Sequence, residues 1–192
     1  MLRLDPEKHI YYWDERRVDG LTSTIDEAGL ISTYASEWYK LRGTALHLAT
    51  EFNDRGTLDE NSVDPEIHGY LESWRKFRIE QNYTPDPQVG IEHKFYNSVL
   101  MLGMKIDRLP GPLDLKTGAP EEWHILQVAV QWATLIGDGL SHLALSPRDV
   151  YLDHDGGPPS VKNYTQVEMR EAYRVYASML HFLRWKREKG LK

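Results

Sequence analysis

The run PLDLKTGAPEEWHILQ (112–127) places a carboxylate, Asp114, two residues before an ammonium, Lys116. Residues i and i+2 of a strand share a face, so the acid and the lysine point the same way. A second acid, Asp107, closes the preceding strand-like run LGMKIDRL. If Pro110-Gly111 forms the reversal, the two carboxylates come close across adjacent strands. Like charges so placed repel unless a proton or a cation intervenes. Magnesium or manganese, which favours oxygen ligands, resolves that conflict. A buried salt bridge between Asp114 and Lys116 is the plainer reading and needs no metal.

Two helix-like stretches add polar stripes. In 121–135, His124, Gln127 and Gln131 fall at i, i+3 and i+7 among residues that are otherwise apolar nearly all round. Buried amides need partners, so this stripe faces water, a polar network or a ligand. In RGTALHLATEF, Thr44, His47 and Glu51 share one stripe by the same spacing, with the apolar residues opposite. A lone helical histidine is more often structural than a ligand, but here it adds a candidate to two acids and a lysine expected on one face.

The elements that must position these groups are readable in outline. The first thirty residues predict a short hairpin and a capped turn around Asp19-Gly20. A helix is predicted over 33–53, with Trp38, Leu41, Ala45, Leu48 and Phe52 as its inward face. A second begins at Asp64-Pro65 and buries Ile67, Tyr70, Leu71, Trp74 and Phe77. Three short strand-like runs between 89 and 117 predict an antiparallel meander. Pro120, Glu121 and Glu122 then open a helix, DVYLDH reads as one further strand, and a long helix occupies 164–190.

At 192 residues the chain suits one well-buried domain, with a hairpin and helices in 1–85, a core in 86–155 and the closing helix. Its 23 basic against 29 acidic residues give a net charge of −6, which argues against coating nucleic acid by bulk charge. A local groove with its own metal is not excluded by that balance. Cysteine is absent, which removes disulfides, thiolate zinc and cysteine-bound iron–sulfur clusters. No run approaches the ~18–20 apolar residues that cross a bilayer, and the first residues lack a signal-peptide pattern. No membrane contact and a cytoplasmic location are therefore expected.

Taken in order, RGTALH (42–47), IEHK (91–94), GMKID (103–107), LDLKTG (113–118) and LQVAVQ (126–131) form a pattern that resembles the PD-(D/E)XK nuclease superfamily. It is most similar to the RecB-like branch, which includes phage recombination exonucleases and CRISPR adaptation nucleases. The likeness covers about 9 to 152 and implies an α/β, restriction-endonuclease-like core: a central mixed sheet, made of the meander plus one strand, flanked by helices. It implies one or two magnesium or manganese ions held by Asp107, Asp114 and the Leu115 carbonyl, with His47 and Glu92 as further ligands. Lys116 would orient the attacking water and stabilise charge on the phosphate. Thr117, Gly118 and Gln127 would contact DNA or order the site, with Arg42, Thr44 and Gln131 as further DNA-facing candidates. Gln131 stands where the family has a tyrosine, and the link from Asp107 to Asp114 is shorter than the usual hairpin.

The function implied is metal-dependent hydrolysis of DNA, as an exonuclease or end-processing enzyme of phage or bacterial recombination, repair or replication. The implied partners are DNA, a second copy of the chain, as in ring-forming relatives, and a recombination or single-strand-binding protein. A catalytically silent nucleic-acid-binding module on the same fold is the alternative, and an unrelated α/β protein with a buried Asp–Lys pair is the third reading.

Overall fold

The computed structural model describes residues 1–5, 8, 10–31 and 37–191, with the backbone alone at 37, 39 and 40. Among these, eight strands form one mixed sheet flanked by five α-helices. The strands are β1 (Leu2–Asp5), β2 (Ile10–Trp13), β3 (Arg16–Gly20), β4 (Ile91–Asn97), β5 (Leu102–Arg108), β6 (Leu113–Lys116), β7 (Arg148–Tyr151) and β8 (Ser160–Asn163). The helices are α1 (Leu21–Glu27), α2 (Glu37–Asp54), α3 (Pro65–Glu80), α4 (His124–Gly137) and α5 (Gln166–Glu188). No helix of the described residues is long and apolar enough to cross a membrane.

The predicted meander is present: β4 pairs β5 and β5 pairs β6, both antiparallel. β7 then lies parallel to β6, as a strand–helix–strand crossover through α4 requires. The sheet is larger than the four strands expected. β3 joins the start of β5 in parallel and carries β2 and β1 behind it, while β8 extends the far edge antiparallel to β7. Four residues after a double proline show too little alternation for β8 to be read from sequence.

Two apolar cores fill the two faces. One joins α1, α4 and α5 to Phe95, Leu102, Met104 and Ile106 of β4 and β5. The other joins α2 and α3 to Leu113, Leu115 and Val150 of β6 and β7. α3 starts as predicted: the Asp64 side chain accepts from the Glu66 N–H at 2.9 Å, Pro65 needs no donor there, and all five expected residues are buried. α5 is fixed by a capping box between Thr165 and Glu168. α4 begins at His124, so Pro120, Glu121 and Glu122 precede the helix rather than forming its first turn.

α2 is rotated from the prediction, whose first residues, 33–36, lie outside the described ones. Trp38, Leu41, Leu48 and Phe52 are 47, 67, 48 and 45% exposed, while Leu46, Ala49 and Thr50 are buried. The apolar stripe lost to the other face because Thr50 and Asp54 bond the buried Arg108, and His47 bonds Glu92. Stranding those polar groups costs more than exposing four apolar side chains in part.

The C-terminal helix is tied to the sheet by charge. Asp19 accepts from Arg184 Nε and Nη2 at 2.9 and 2.8 Å and from Arg187 Nη1 at 2.7 Å. Burial alone would raise the Asp19 pKa, but the two guanidiniums hold it below the usual carboxylate value. The unfolded chain therefore takes up this proton first as pH falls. The stabilisation is complete above about pH 4–5 and disappears as pH drops through the lower folded value. Asp19→Asn is expected to lower the melting temperature by a few degrees at pH 7 and by much less at pH 2.5, in parallel thermal melts.

Candidate metal centre

β5 and β6 share only the pair Arg108↔Leu113, whereas β4 follows β5 from Ile91↔Arg108 to Asn97↔Leu102 and β6 follows β7 along four residues. The two strands therefore diverge just where the acids lie. Asp107 fills the gap, its Oδ2 accepting from the Leu115 N–H at 2.9 Å in place of a ladder carbonyl. On the opposite side of β5, Glu92 interrupts the ladder with a φ of 51°. A left-handed backbone costs a non-glycine residue roughly 1–2 kcal/mol, so surrounding contacts must hold it. Those contacts are the His47 imidazole and two cations, Lys105 and Arg108.

His47, Glu92 and Asp107 each offer a ligand atom, and these atoms lie within 4.8 Å of one another. His47 Nδ1 is 3.2 Å from Glu92 Oε1 and 3.6 Å from Asp107 Oδ1. The Asp107 carboxyl is pushed up to about 6, first by burial; His47 opposes the shift, and the fields of Asp114 and Glu92 reinforce it. Glu92 goes the other way, to about 2: burial opposes, but His47 and Lys105 outweigh it. Burial also works against a charged His47, yet Asp107 and Glu92 together raise its pKa. Two carboxylates and an imidazole so placed could hold a metal ion, and burial beside the like charges of Asp114 and Glu92 gives Asp107 most reason to accept one.

The second half of the site comes from the other side of the sheet. Leu113 and Leu115 enter the α2–α3 core, and the carboxylate of Asp114, between them in sequence, reaches Gln127 of α4. Gln127 Nε2 donates to Asp114 Oδ1 at 2.6 Å, Lys116 Nζ donates to Gln127 Oε1 at 3.1 Å, and Lys116 pairs with Asp114. The Lys116 ammonium also sits 5.0 Å from the Trp123 ring centroid. Burial disfavours its charge, but Asp114 first and Asp149 next raise its pKa. The residues expected on one face thus form two groups at the strand divergence. His47, Glu92 and Asp107 make one, Asp114, Lys116 and Gln127 the other, and Asp114 reaches Asp107 through its field.

The remaining predicted positions divide as well. Leu115 meets the triad through its N–H. Thr117 is half-buried and Gly118 exposed, directly after β6. Thr44 is exposed on α2, and the half-buried Arg42 stacks over Trp38 at 4.9 Å and Tyr70 at 5.2 Å. Gln131 corrects its prediction: it is fully buried and donates to the Lys105 carbonyl at 3.3 Å, which leaves it no surface for DNA. The open edge of β5 between its β3 and β6 partners explains why an amide is needed there.

Several neighbours were not anticipated. Asp149 pairs with Asp114 in the β6–β7 register and receives hydrogen bonds from Tyr164 and Tyr151. Burial, then Asp114, pushes its carboxyl up to about 6. Tyr11 of β2 lies over Gly103, where a Cβ would meet its ring at 2.6 Å, so only glycine admits this approach. Its phenol is pushed up to about 12, by burial first and then by Asp107 and Glu92. Lys105 and Arg108 flank Asp107 in KIDR, and two cations within an otherwise buried strand were the available signal. Set against known proteins, the chain matches no family model, and no curated protein matches it.

Proposed function

We propose that the protein is a magnesium- or manganese-dependent nuclease that hydrolyses DNA phosphodiester bonds, with an exonuclease or end-processing role preferred. The observation that carries this reading is the His47–Glu92–Asp107 cluster, its ligand atoms within 4.8 Å, set at a strand divergence beside a clamped lysine. The five motifs that resemble the RecB-like nucleases include these three residues and Lys116, and the same resemblance adds Asp114 and the Leu115 carbonyl as ligands. A divalent ion held by the triad supplies the positive charge that an anionic phosphodiester needs before it accepts a nucleophile, and it acidifies water.

The chain's own groups do the rest. Lys116, kept protonated by Asp114 and Asp149, serves charge stabilisation and water orientation rather than proton abstraction. Gln127 and Asp114 hold the ammonium from two directions, which fixes it for that task. Asp107, raised toward neutrality, gains most from a cation. Purified protein is expected to degrade an end-labelled DNA strand with magnesium or manganese and to stop in EDTA. Full activity in EDTA would remove the assignment. Efficient cutting of a circular single strand would favour an endonuclease.

One observation favours the silent-module reading: Glu92 is already neutralised by His47, Lys105 and Arg108 without any ion. Calorimetric titration with manganese separates the two, since a closed ion-pair cluster takes up no heat-releasing ion.

A further inference from the structure

Of the three basic side chains at Glu92, two are committed elsewhere. Arg108 is fully buried and spends its donors on Asp54, Thr50, the Asp107 carbonyl and Glu92, with its guanidinium 5.6 Å from the Trp74 ring. It has neither space nor a spare direction in which to move. His47 faces both acids and belongs to the triad itself. Lys105 differs in each respect. Its side chain is 36% exposed, against 28% for His47 and 7% for either acid, and its ammonium pairs with Glu92 Oε2. Its backbone stays fixed, because the carbonyl takes the Gln131 amide and the residue pairs with Lys94. Only the flexible stem is free to swing, and it is the most open of these side chains.

A divalent ion on the triad must take Glu92, and the ammonium beside it then becomes a like charge rather than a partner. Resting on the metal-dependent nuclease reading, we propose that Lys105 is a second substrate-binding lysine. Its ammonium neutralises Glu92 while no divalent ion is bound, and ion binding releases it to a non-bridging oxygen of the scissile-strand phosphate. The arrangement couples the two ligands: the ion frees a cation for DNA, and DNA stabilises the ion-bound state. It also meets a polyanion locally on a chain whose net charge is −6.

The test uses the full chain with Lys105→Gln, which removes the charge and keeps a polar stem, and Lys105→Arg, which keeps the charge. Manganese titration by calorimetry is expected to show about tenfold tighter binding to the glutamine variant than to wild type, and wild-type affinity in the arginine variant. Fluorescence anisotropy with a short labelled DNA in calcium and in EDTA supplies the second arm. Wild type is expected to bind DNA more tightly in calcium, and Lys105→Gln to lose most of that gain. Unchanged or weaker manganese binding in Lys105→Gln overturns the displacement. A retained calcium gain in that variant overturns the phosphate contact. Absence of manganese binding to wild type removes the metal reading itself, an outcome distinct from either.

Discussion

Lys116→Ala is expected to lower the rate of DNA cleavage by about 10²–10³-fold, the cost of losing one preorganised charge at a developing oxyanion. Manganese affinity should survive the change, because Lys116 bonds Asp114 and Gln127 and touches none of the triad. Asp107→Ala is expected to remove both, since it deletes a triad ligand whose Oδ2 also receives the Leu115 N–H. The split between the two variants is the informative result. A protein in which both retain wild-type cleavage is not a nuclease of this kind. One in which Lys116→Ala also loses the ion has its cation on the Asp114 side of the sheet rather than at His47. A radiolabelled strand, sampled at several manganese concentrations, reads both quantities from a single series.

The split follows from the pleat, and it was only half legible in the sequence. Asp114 and Lys116 were placed correctly on one face, and Gln127 did turn toward them from α4. Bringing Asp114 and His47 to the same face failed, because Leu113 and Leu115 claim the α2–α3 core and hold the Asp114 carboxylate toward α4. The start of α3 was the most legible feature, since Asp64 and Pro65 act within two residues of themselves. The inward face of α2 was misread for the opposite reason. Its determinants, Arg108 and Glu92, lie 54 residues beyond Asp54 and 45 beyond His47, and no periodicity within the helix carries that information.

The same distant contacts define the largest stability effect expected here. The Asp54 side chain is fully buried and accepts from Arg108 Nε, from Trp74 Nε1 at 2.9 Å and from Arg78 Nη1 at 2.7 Å. Arg108 returns the favour to the site, with Nη1 donating to the Asp107 carbonyl at 2.6 Å and to Glu92 Oε1 at 3.0 Å. Arg108→Met keeps volume and removes the charge, leaving Asp54 and Glu92 short of a counter-ion in a dry environment. Breaking one partner of a buried pair costs about 3–5 kcal/mol, a large share of the ~5–15 kcal/mol that holds a domain together. Urea unfolding followed by circular dichroism should show that loss as a lower midpoint. Replacing both partners by apolar groups should recover part of it, because the penalty lies in the stranded charge rather than in the missing bond. A loss below about 1 kcal/mol in Arg108→Met would mean that Arg78 and Trp74 satisfy Asp54 unaided. Arg108→Lys separates charge from geometry: one ammonium cannot span Asp54, Thr50, Glu92 and the Asp107 carbonyl. It should therefore keep more stability than methionine yet still loosen Glu92, whose left-handed backbone depends on being held.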